Sequence, residues 1–398
     1  MKKIVEKRNK VNEYIIMLFS FLIFPMPTSV FCLFCGIKKR NKWDTWGGSV
    51  LLLSLINITI DWENTDYCWY IPLYKDALVT GFSDYMWSLN GAKEPVYTVL
   101  TYILSHIFSG NGILFSLFST ILFYFFMIKG LEVIQKRMGL KEQYFFIGIV
   151  LLLFFPYIFA NSANHVRQYW ATAIVFFAIT KVLFEGRKKY WILVGISMFI
   201  HTSSGLIGLL SMIPFLKYKI SAHTSIYYIG AFLILFLIQP IANALLPFLG
   251  DSILNQALTK AAQGTYFETE FTLVKLIFAA FVVGVPLYIV NVYSSEKSSA
   301  AIRLINIQLM LTVFIAANLE QEEFCVRMNE YIWCYMPANV MIASSLLRMR
   351  GSFIVLFAIA IIVFFILYQV LLTKNTYYCE SDFLWQNSIE FFLQSKIK

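Results

Sequence analysis

Polar residues at positions 161–170, NSANHVRQYW, separate two strongly apolar runs of the chain. If a helix opens here, Asn164, Arg167 and Gln168 fall at i, i+3 and i+4 on one face, and His165 stands beside them. The unpaired N–H groups of a helix N-terminus, together with a guanidinium group, favour binding of a phosphate or diphosphate. The structural alternative is that Arg167 pairs with a carboxylate or extends to the lipid headgroups, with Gln168 bonding to a neighbouring helix.

The stretch EEFCVRMNEYIW at 322–333 repeats this pattern nearer the end of the chain. Arg327 and Tyr331 lie four residues apart, on one helical stripe, and would form a second anion clamp with a phenol donor. Glu323 stands four residues before Arg327, and for this glutamate a surface ion pair is the simpler interpretation.

A third polar point is His201, between two short apolar runs at 190–200 and 203–216. Half-length helices that meet at a polar vertex are typical of a break that faces a cavity. His201 would act there as a proton carrier, as a phosphate donor or as a hydrogen-bonded hinge residue, and the sequence leaves all three open.

Acidic and aromatic residues alternate in DWENTDYCWYIPLY at 61–74, and AKEPVY follows at 92–97. Carboxylates bond to sugar hydroxyls and aromatic rings stack on sugar faces, so this composition suits a carbohydrate. An aromatic belt at a membrane interface has the same composition. The residues of interest here are Asp66, Tyr67, Tyr70 and Glu94.

The elements that must position these residues are membrane helices. The chain has 398 residues, of which 59% are hydrophobic and 14% charged, and a soluble domain could not bury so much apolar surface. Successive apolar runs predict an all-α, polytopic transmembrane helical bundle of about 10–12 spans, some of them short or re-entrant. The candidate spans are roughly 12–36, 46–60, 112–129, 144–160, 167–184, 190–200, 203–216, 224–247, 271–291, 303–318, 331–347 and 352–372.

Lysine and arginine gather in alternate connections, which predicts orientation. The basic connections, expected to face the cytoplasm, are 38–42, 129–141, 186–189, 217–219, 296–303 and 348–350. Most of the net charge of +9 lies in such connections, so it does not indicate a nucleic-acid partner. Arg167 and Arg327 fall on the opposite side, each at the start of a helix whose dipole opposes a cation. An anion from the outer face would compensate.

The same alternation requires that 94–108 not cross the membrane, so we interpret it as an interfacial or re-entrant helix. Residues 61–111 then form a large outward loop that carries this helix, and 248–270 form another. We expect residues 1–372 to form a single membrane domain, followed by an outward tail at 373–398. The sequence contains no metal-ligand cluster and no nucleotide-binding loop in a usable context, so no metal and no cofactor are expected.

The order of these motifs resembles the EpsG family of Wzy-type polysaccharide polymerases, over about residues 40–350. The matching motifs are Asp66-Tyr67 with Tyr70 and Tyr74, Glu94-Pro95, Asn164 with Arg167-Gln168 and Ala171, His201 with Ser203, and Arg327 with Tyr331. The family's glycine-rich context before the loop aspartate is replaced by DWENTDY, which leaves Asp61 and Asp66 as alternatives for that position. The loop aspartate followed by an interfacial helix also looks like the layout of GT-C glycosyltransferases, an analogy of fold alone.

The resemblance implies a glycosyltransferase of the bacterial inner or plasma membrane. Such proteins join oligosaccharide repeat units, carried on polyprenyl diphosphate, into O-antigen, capsule or exopolysaccharide at the outer face. The lipid bilayer, the lipid-linked oligosaccharide, a chain-length regulator and a flippase are then the expected partners.

The resemblance also implies roles for the motif residues. Arg167 and Arg327 would hold the diphosphates, with Asn164 and Gln168 positioning them. The base that takes a proton from the acceptor hydroxyl would be Asp66, with Glu94 and His201 as alternatives. The other expected substrate contacts are His165, Tyr331, Tyr67 and Tyr70.

Two other functions fit part of the sequence. A transporter or flippase of lipid-linked oligosaccharide would carry polar residues through the middle of many spans and a pseudo-repeat, whereas the charges here gather at the outer ends. A membrane acyltransferase that modifies surface glycans would need a catalytic histidine accessible from the cytoplasm, whereas His201 is predicted at an outward vertex.

Overall fold

The structure, a computed structural model, describes residues 66–87, 94–245, 273–294, 298–319 and 321–368, with four isolated positions before residue 32. Within these ranges the chain is helical, and none of these residues belongs to a strand. The spans predicted at 12–36 (apart from those isolated positions) and 46–60 lie outside the described residues. So do the predicted loop at 248–270 and the tail at 373–398, and the division of the chain into these units stays a prediction.

The helices are named here in chain order. They are α1 (Tyr67–Asp76), α2 (Phe82–Trp87), α3 (Pro95–Ile107), α4 (Gly112–Met138), α5 (Glu142–Phe154), α6 (Pro156–Asn164), α7 (Val166–Glu185), α8 (Trp191–Ile200), α9 (Ser204–Met212), α10 (Ala222–Leu245), α11 (Leu273–Tyr293), α12 (Ser299–Ala317), α13 (Glu322–Leu346) and α14 (Gly351–Leu367).

Three helices of the described part, α4, α11 and α12, are long and apolar enough to cross a membrane. The pair α5 and α6 passes the same test as one span bent by 54°. The bend follows from Pro156, because a residue before proline avoids the helical region, and Phe155 accordingly adopts an extended conformation. The prediction of a helical membrane protein is confirmed.

Helix α7 lies at the centre of the bundle and packs mainly on α4 and α8, while α13 packs on α5, α11 and α12. Apolar side chains around the whole circumference of α5 are buried, as expected for a helix enclosed by neighbours. The buried amides of Gln308 and Asn339 join α12 to α13 through two reciprocal hydrogen bonds of 2.9 and 2.6 Å. Such polar pairs link helices where surrounding lipid gives apolar contacts no advantage.

A smaller apolar cluster packs α1 and α3 against the first turns of α7, around the buried ring of Trp170. Helix α3 begins with Pro95 at its first position, where a missing N–H costs nothing, and Glu94 immediately precedes it. The helix predicted at 94–108 is therefore present. Its 13 residues span about 20 Å, less than the roughly 30 Å of a bilayer core, and its interfacial or re-entrant placement stays a prediction. This cluster places Tyr70 and Glu94 over the opening of α7.

Candidate functional site

The polar stretch at 161–170 contains a helix break. Helix α6 ends at Asn164, and α7 begins at Val166 after His165, whose backbone is non-helical with φ −91° and ψ 60°. The expected common face of Asn164, Arg167 and Gln168 on one helix is therefore wrong, because Asn164 belongs to the preceding helix. Arg167 and Gln168 do lie in the first turn of α7, as predicted.

Four of the predicted site residues form a continuous chain of contacts, here called the relay: Arg167, Glu94, His201 and Arg327. Arg167 Nη1 donates to Glu94 Oε2 at 2.6 Å, and Glu94 Oε1 lies 2.6 Å from His201 Nδ1. His201 Nε2 in turn lies 3.1 Å from Arg327 Nη1. The relay joins residues from the start of α3, the start of α7, the break between α8 and α9, and the first turns of α13.

The relay fixes the protonation pattern of His201. A guanidinium N–H can only donate, so Nε2 of His201 accepts the bond from Arg327, and the ring proton resides on Nδ1. Nδ1–H then donates to Glu94. His201 is thus held as a neutral imidazole with both ring nitrogens engaged, and it connects the two arginines through one carboxylate.

Glu94 is the anionic centre of the relay and is 2% exposed. Burial alone raises the pKa of Glu94, but the hydrogen bond from His201 and the positive charge of Arg167 outweigh burial and hold this pKa below its usual value. Glu94 is therefore a carboxylate at neutral pH. The structural alternative for Arg167, pairing with a carboxylate, describes this contact, and the carboxylate is itself one of the predicted site residues.

Aromatic side chains hold the guanidinium of Arg167. Its Nε donates to the Tyr70 hydroxyl at 3.2 Å, and its Cζ lies 5.4 Å from the centre of the Tyr70 ring and 5.8 Å from that of Tyr97. These distances are typical of cation–π contacts. The Arg167 side chain remains 24% exposed, so it is not fully enclosed by these contacts.

Gln168 and Tyr331 connect the helices beneath the relay. Gln168 Nε2 donates to the backbone carbonyl of Arg327 at 2.9 Å, which fixes α7 against α13. The hydroxyl of the fully buried Tyr331 lies 2.9 Å from Ser203 Oγ, just before α9. The phenol expected to extend an anion clamp at Arg327 therefore contacts Ser203. Tyr67 is also buried, 2% exposed, in the cluster that supports α1.

A second acidic contact lies beside the relay. His165 Nδ1 is paired with Glu330 Oε1, which joins the helix break before α7 to α13. Asp66, partly exposed before α1, is close enough for its charge to act on both His165 and Tyr70. Asn164 is buried next to His165, and its Oδ1 has no hydrogen-bond partner among the described residues.

Two contact residues were not predicted as members of the site, Tyr97 and Glu330, and Ser203 was named only as a motif residue beside His201. A signal existed for Glu330, because it stands three residues after Arg327 and therefore shares its side of α13. Tyr97 similarly follows Glu94 by three residues. Within the part of the chain that the structure describes, no cluster of three or more histidine, cysteine, aspartate or glutamate side chains is suited to a metal ion.

The protein is therefore a helical membrane protein in which charged side chains from several helices meet at one site. The site is formed by the starts of helices and by a helix break. A family model described as the EpsG family matches residues 44–385, most of the chain, and the chain belongs to this family. The resemblance drawn from the motifs is confirmed, and the family suggests a role as a polysaccharide polymerase. Comparison with curated proteins and with solved structures returned no match.

Proposed function

We propose that this protein polymerises oligosaccharide repeat units carried on a lipid diphosphate, by glycosyl transfer at the outer face of the membrane. The observation that carries the proposal is the relay. It brings two arginines that are 160 positions apart in the chain to either side of one His–Glu pair. Family membership supplies the polysaccharide chemistry, and the relay supplies groups suited to a diphosphate.

The charges of the relay suit an anionic leaving group. The relay contains two guanidinium groups, one carboxylate and the neutral His201, so within these four residues positive charge is in excess. When the bond between the sugar and the lipid diphosphate breaks, negative charge develops on the departing diphosphate. Fixed cations at that position stabilise the transition state without reorganisation. The partly exposed side chain of Arg167 would meet the diphosphate first.

The relay also changes the expectation about the base. Both oxygens of Glu94 and both ring nitrogens of His201 are engaged in the relay. A carboxylate held by two strong donors is a weak proton acceptor. Glu94 and His201 are therefore better suited to position the arginines than to take a proton from an acceptor hydroxyl.

The direct test uses purified protein, reconstituted in lipid and supplied with a polyprenyl-diphosphate repeat unit and no nucleotide. We expect a ladder of multimers with release of the polyprenyl diphosphate, because the donor already carries its leaving group. A repeat unit on a polyprenyl monophosphate serves as the matched control, and we expect it to react at least about 100-fold more slowly because the arginines lose their diphosphate partner. Absence of multimers, or a requirement for nucleotide sugar, would contradict the proposal.

The outward orientation has its own test, in a background without native cysteines. Trp87 on α2 is 78% exposed, and α2 packs on α3, the helix that Glu94 of the relay precedes. Lys189 is exposed after the opposite end of α7. In intact cells we expect Trp87→Cys to react with a membrane-impermeant maleimide and Lys189→Cys to react only after the membrane is opened. The reverse pattern would place the relay on the cytoplasmic side.

A further inference from the structure

The pair formed by His165 and Glu330 has the geometry of an oriented proton acceptor. The Glu330 side chain is 3% exposed and accepts a hydrogen bond from His165 Nδ1, whereas the His165 side chain is 34% exposed. With the proton on Nδ1, the lone pair of the neutral ring lies on Nε2. Nε2 has no hydrogen-bond partner among the residues that the structure describes.

His165 thus differs from Glu94 and His201, two of the three residues expected as the base. The relay engages His201 at both nitrogens and Glu94 at both oxygens, while His165 keeps one ring nitrogen free in the described part of the chain. A buried carboxylate on the far nitrogen of an imidazole fixes the tautomer and stabilises the imidazolium that forms when the ring accepts a proton. Glu330 has that position relative to His165.

Among the described residues, two buried oxygen atoms lack a hydrogen-bond partner, one in Glu330 itself and one in Asn164, which precedes His165. Oδ1 of Asn164 and Oε2 of Glu330 are shielded from solvent and accept no hydrogen bond from the described residues. Buried polar atoms are nearly always hydrogen-bonded in folded proteins, so these two unpaired acceptors require an explanation. A sugar supplies several hydroxyl donors at short spacing, which can donate to such acceptors while another hydroxyl is presented to His165.

From these contacts we infer that His165 is the catalytic base that accepts the proton of the acceptor sugar hydroxyl, and that Glu330 is its positioning residue. This inference rests on the proposed function. The hydroxyl oxygen forms a bond to the anomeric carbon of the donor while its proton moves to His165 Nε2. The bond from that carbon to the diphosphate oxygen breaks, and its electron pair leaves with the lipid diphosphate near Arg167 and Arg327. The imidazolium, paired with Glu330, later releases its proton to water.

The charged groups around His165 determine the pH at which its ring loses a proton, and therefore the shape of the rate–pH profile. Burial disfavours the imidazolium, Glu330 on α13 and Asp66 before α1 favour it, and Arg327 on α13 opposes it; together they raise the pKa of His165 to about 9. The ring of Tyr169, one turn further along α7, lies 6.5 Å away. Removing the charge of Glu330 therefore makes the imidazole less basic, so the ring is unprotonated at lower pH.

The test is the initial rate of multimer formation against pH, for the reconstituted full chain and three variants. We expect the wild-type rate to rise with pH to a plateau as His165 becomes neutral. His165→Gln should lower the plateau about 100- to 10,000-fold and remove the rising limb. Glu330→Gln, which still accepts from Nδ1, should shift the limb to lower pH and lower the plateau. Asp66→Asn should keep a rising limb.

Binding of a polyprenyl diphosphate without sugar provides the control, because Arg167 and Arg327 are intact in all three variants and affinity should stay within about threefold. A His165→Gln rate within threefold of wild type would overturn the inference. So would a rising limb of the rate–pH profile that Glu330→Gln does not shift, or one that Asp66→Asn removes. If the wild-type protein forms no multimers while it binds the lipid diphosphate, the proposed function itself fails. If His165→Gln does not fold, the shift of the rate–pH profile in Glu330→Gln still tests the inference, because that variant keeps the imidazole of His165.

Discussion

Replacing Arg167 with lysine is expected to abolish long polymer while single repeat units still accumulate on their lipid. The guanidinium donates to Glu94 and to Tyr70 at once, and it makes cation–π contacts with the rings of Tyr70 and Tyr97. A lysine ammonium is a point charge that cannot keep both bonds and both ring contacts. Loss of one preorganised donor from a site of developing charge typically costs about 100- to 1,000-fold in rate.

The measurement is the chain-length ladder of surface polysaccharide from cells that carry Arg167→Lys. The matched control is Arg187→Lys, just after the other end of α7, where the arginine is about half exposed and pairs with Glu185. We expect the control to leave the ladder unchanged, because an exposed ion pair contributes little and lysine can replace it. A normal ladder from Arg167→Lys would exclude this arginine from the diphosphate site.

The sequence was sufficient to predict the membrane bundle and the family, because apolar runs and motif order are local properties. It also identified Arg167, His201 and Arg327 individually, since a charged residue between apolar runs stands out. The presence of a helix at 94–108 could also be predicted, while its interfacial or re-entrant placement stays a prediction. Each of these inferences used a single stretch of chain.

The contacts that assemble the site could not be predicted in this way. Glu94 lies 73 residues from Arg167 and 107 from His201 along the chain, and no periodicity encodes such a pairing. The break at His165 depends on how α6 and α7 pack, so Asn164 was assigned to the wrong helix. Glu330 could not be chosen among the several acids near Arg327 in the sequence, because its partner His165 lies on another stretch of the chain. Pairings between distant stretches are therefore what the structure adds.

The second large effect concerns Glu94, whose replacement by alanine is expected to destabilise the fold and to abolish polymer. Glu94→Ala leaves the guanidinium of Arg167 and the Nδ1–H of His201 without their acceptor in a largely buried place. Removing one partner of a buried ion pair typically costs about 3–5 kcal/mol of unfolding free energy. Glu94→Gln should cost less, because an amide oxygen can still accept one of the two bonds. Thermal unfolding in detergent should rank the proteins wild type, Glu94→Gln and Glu94→Ala, from most to least stable.

The pH dependence of the unfolding temperature distinguishes the effect of the Glu94 charge from the effect of its side-chain shape. The pKa of Glu94 is lower in the folded protein than in the unfolded chain, so its contribution to stability is complete above the unfolded value of roughly 4.3. That contribution is lost as the pH falls through the lower, folded value. We therefore expect the unfolding temperature of wild type to decrease more steeply with acid than that of Glu94→Gln. Asp84→Asn, an exposed carboxylate on α2, should follow the wild-type curve. Parallel acid limbs for wild type and Glu94→Gln would mean that the carboxylate does not hold Arg167 and His201 together.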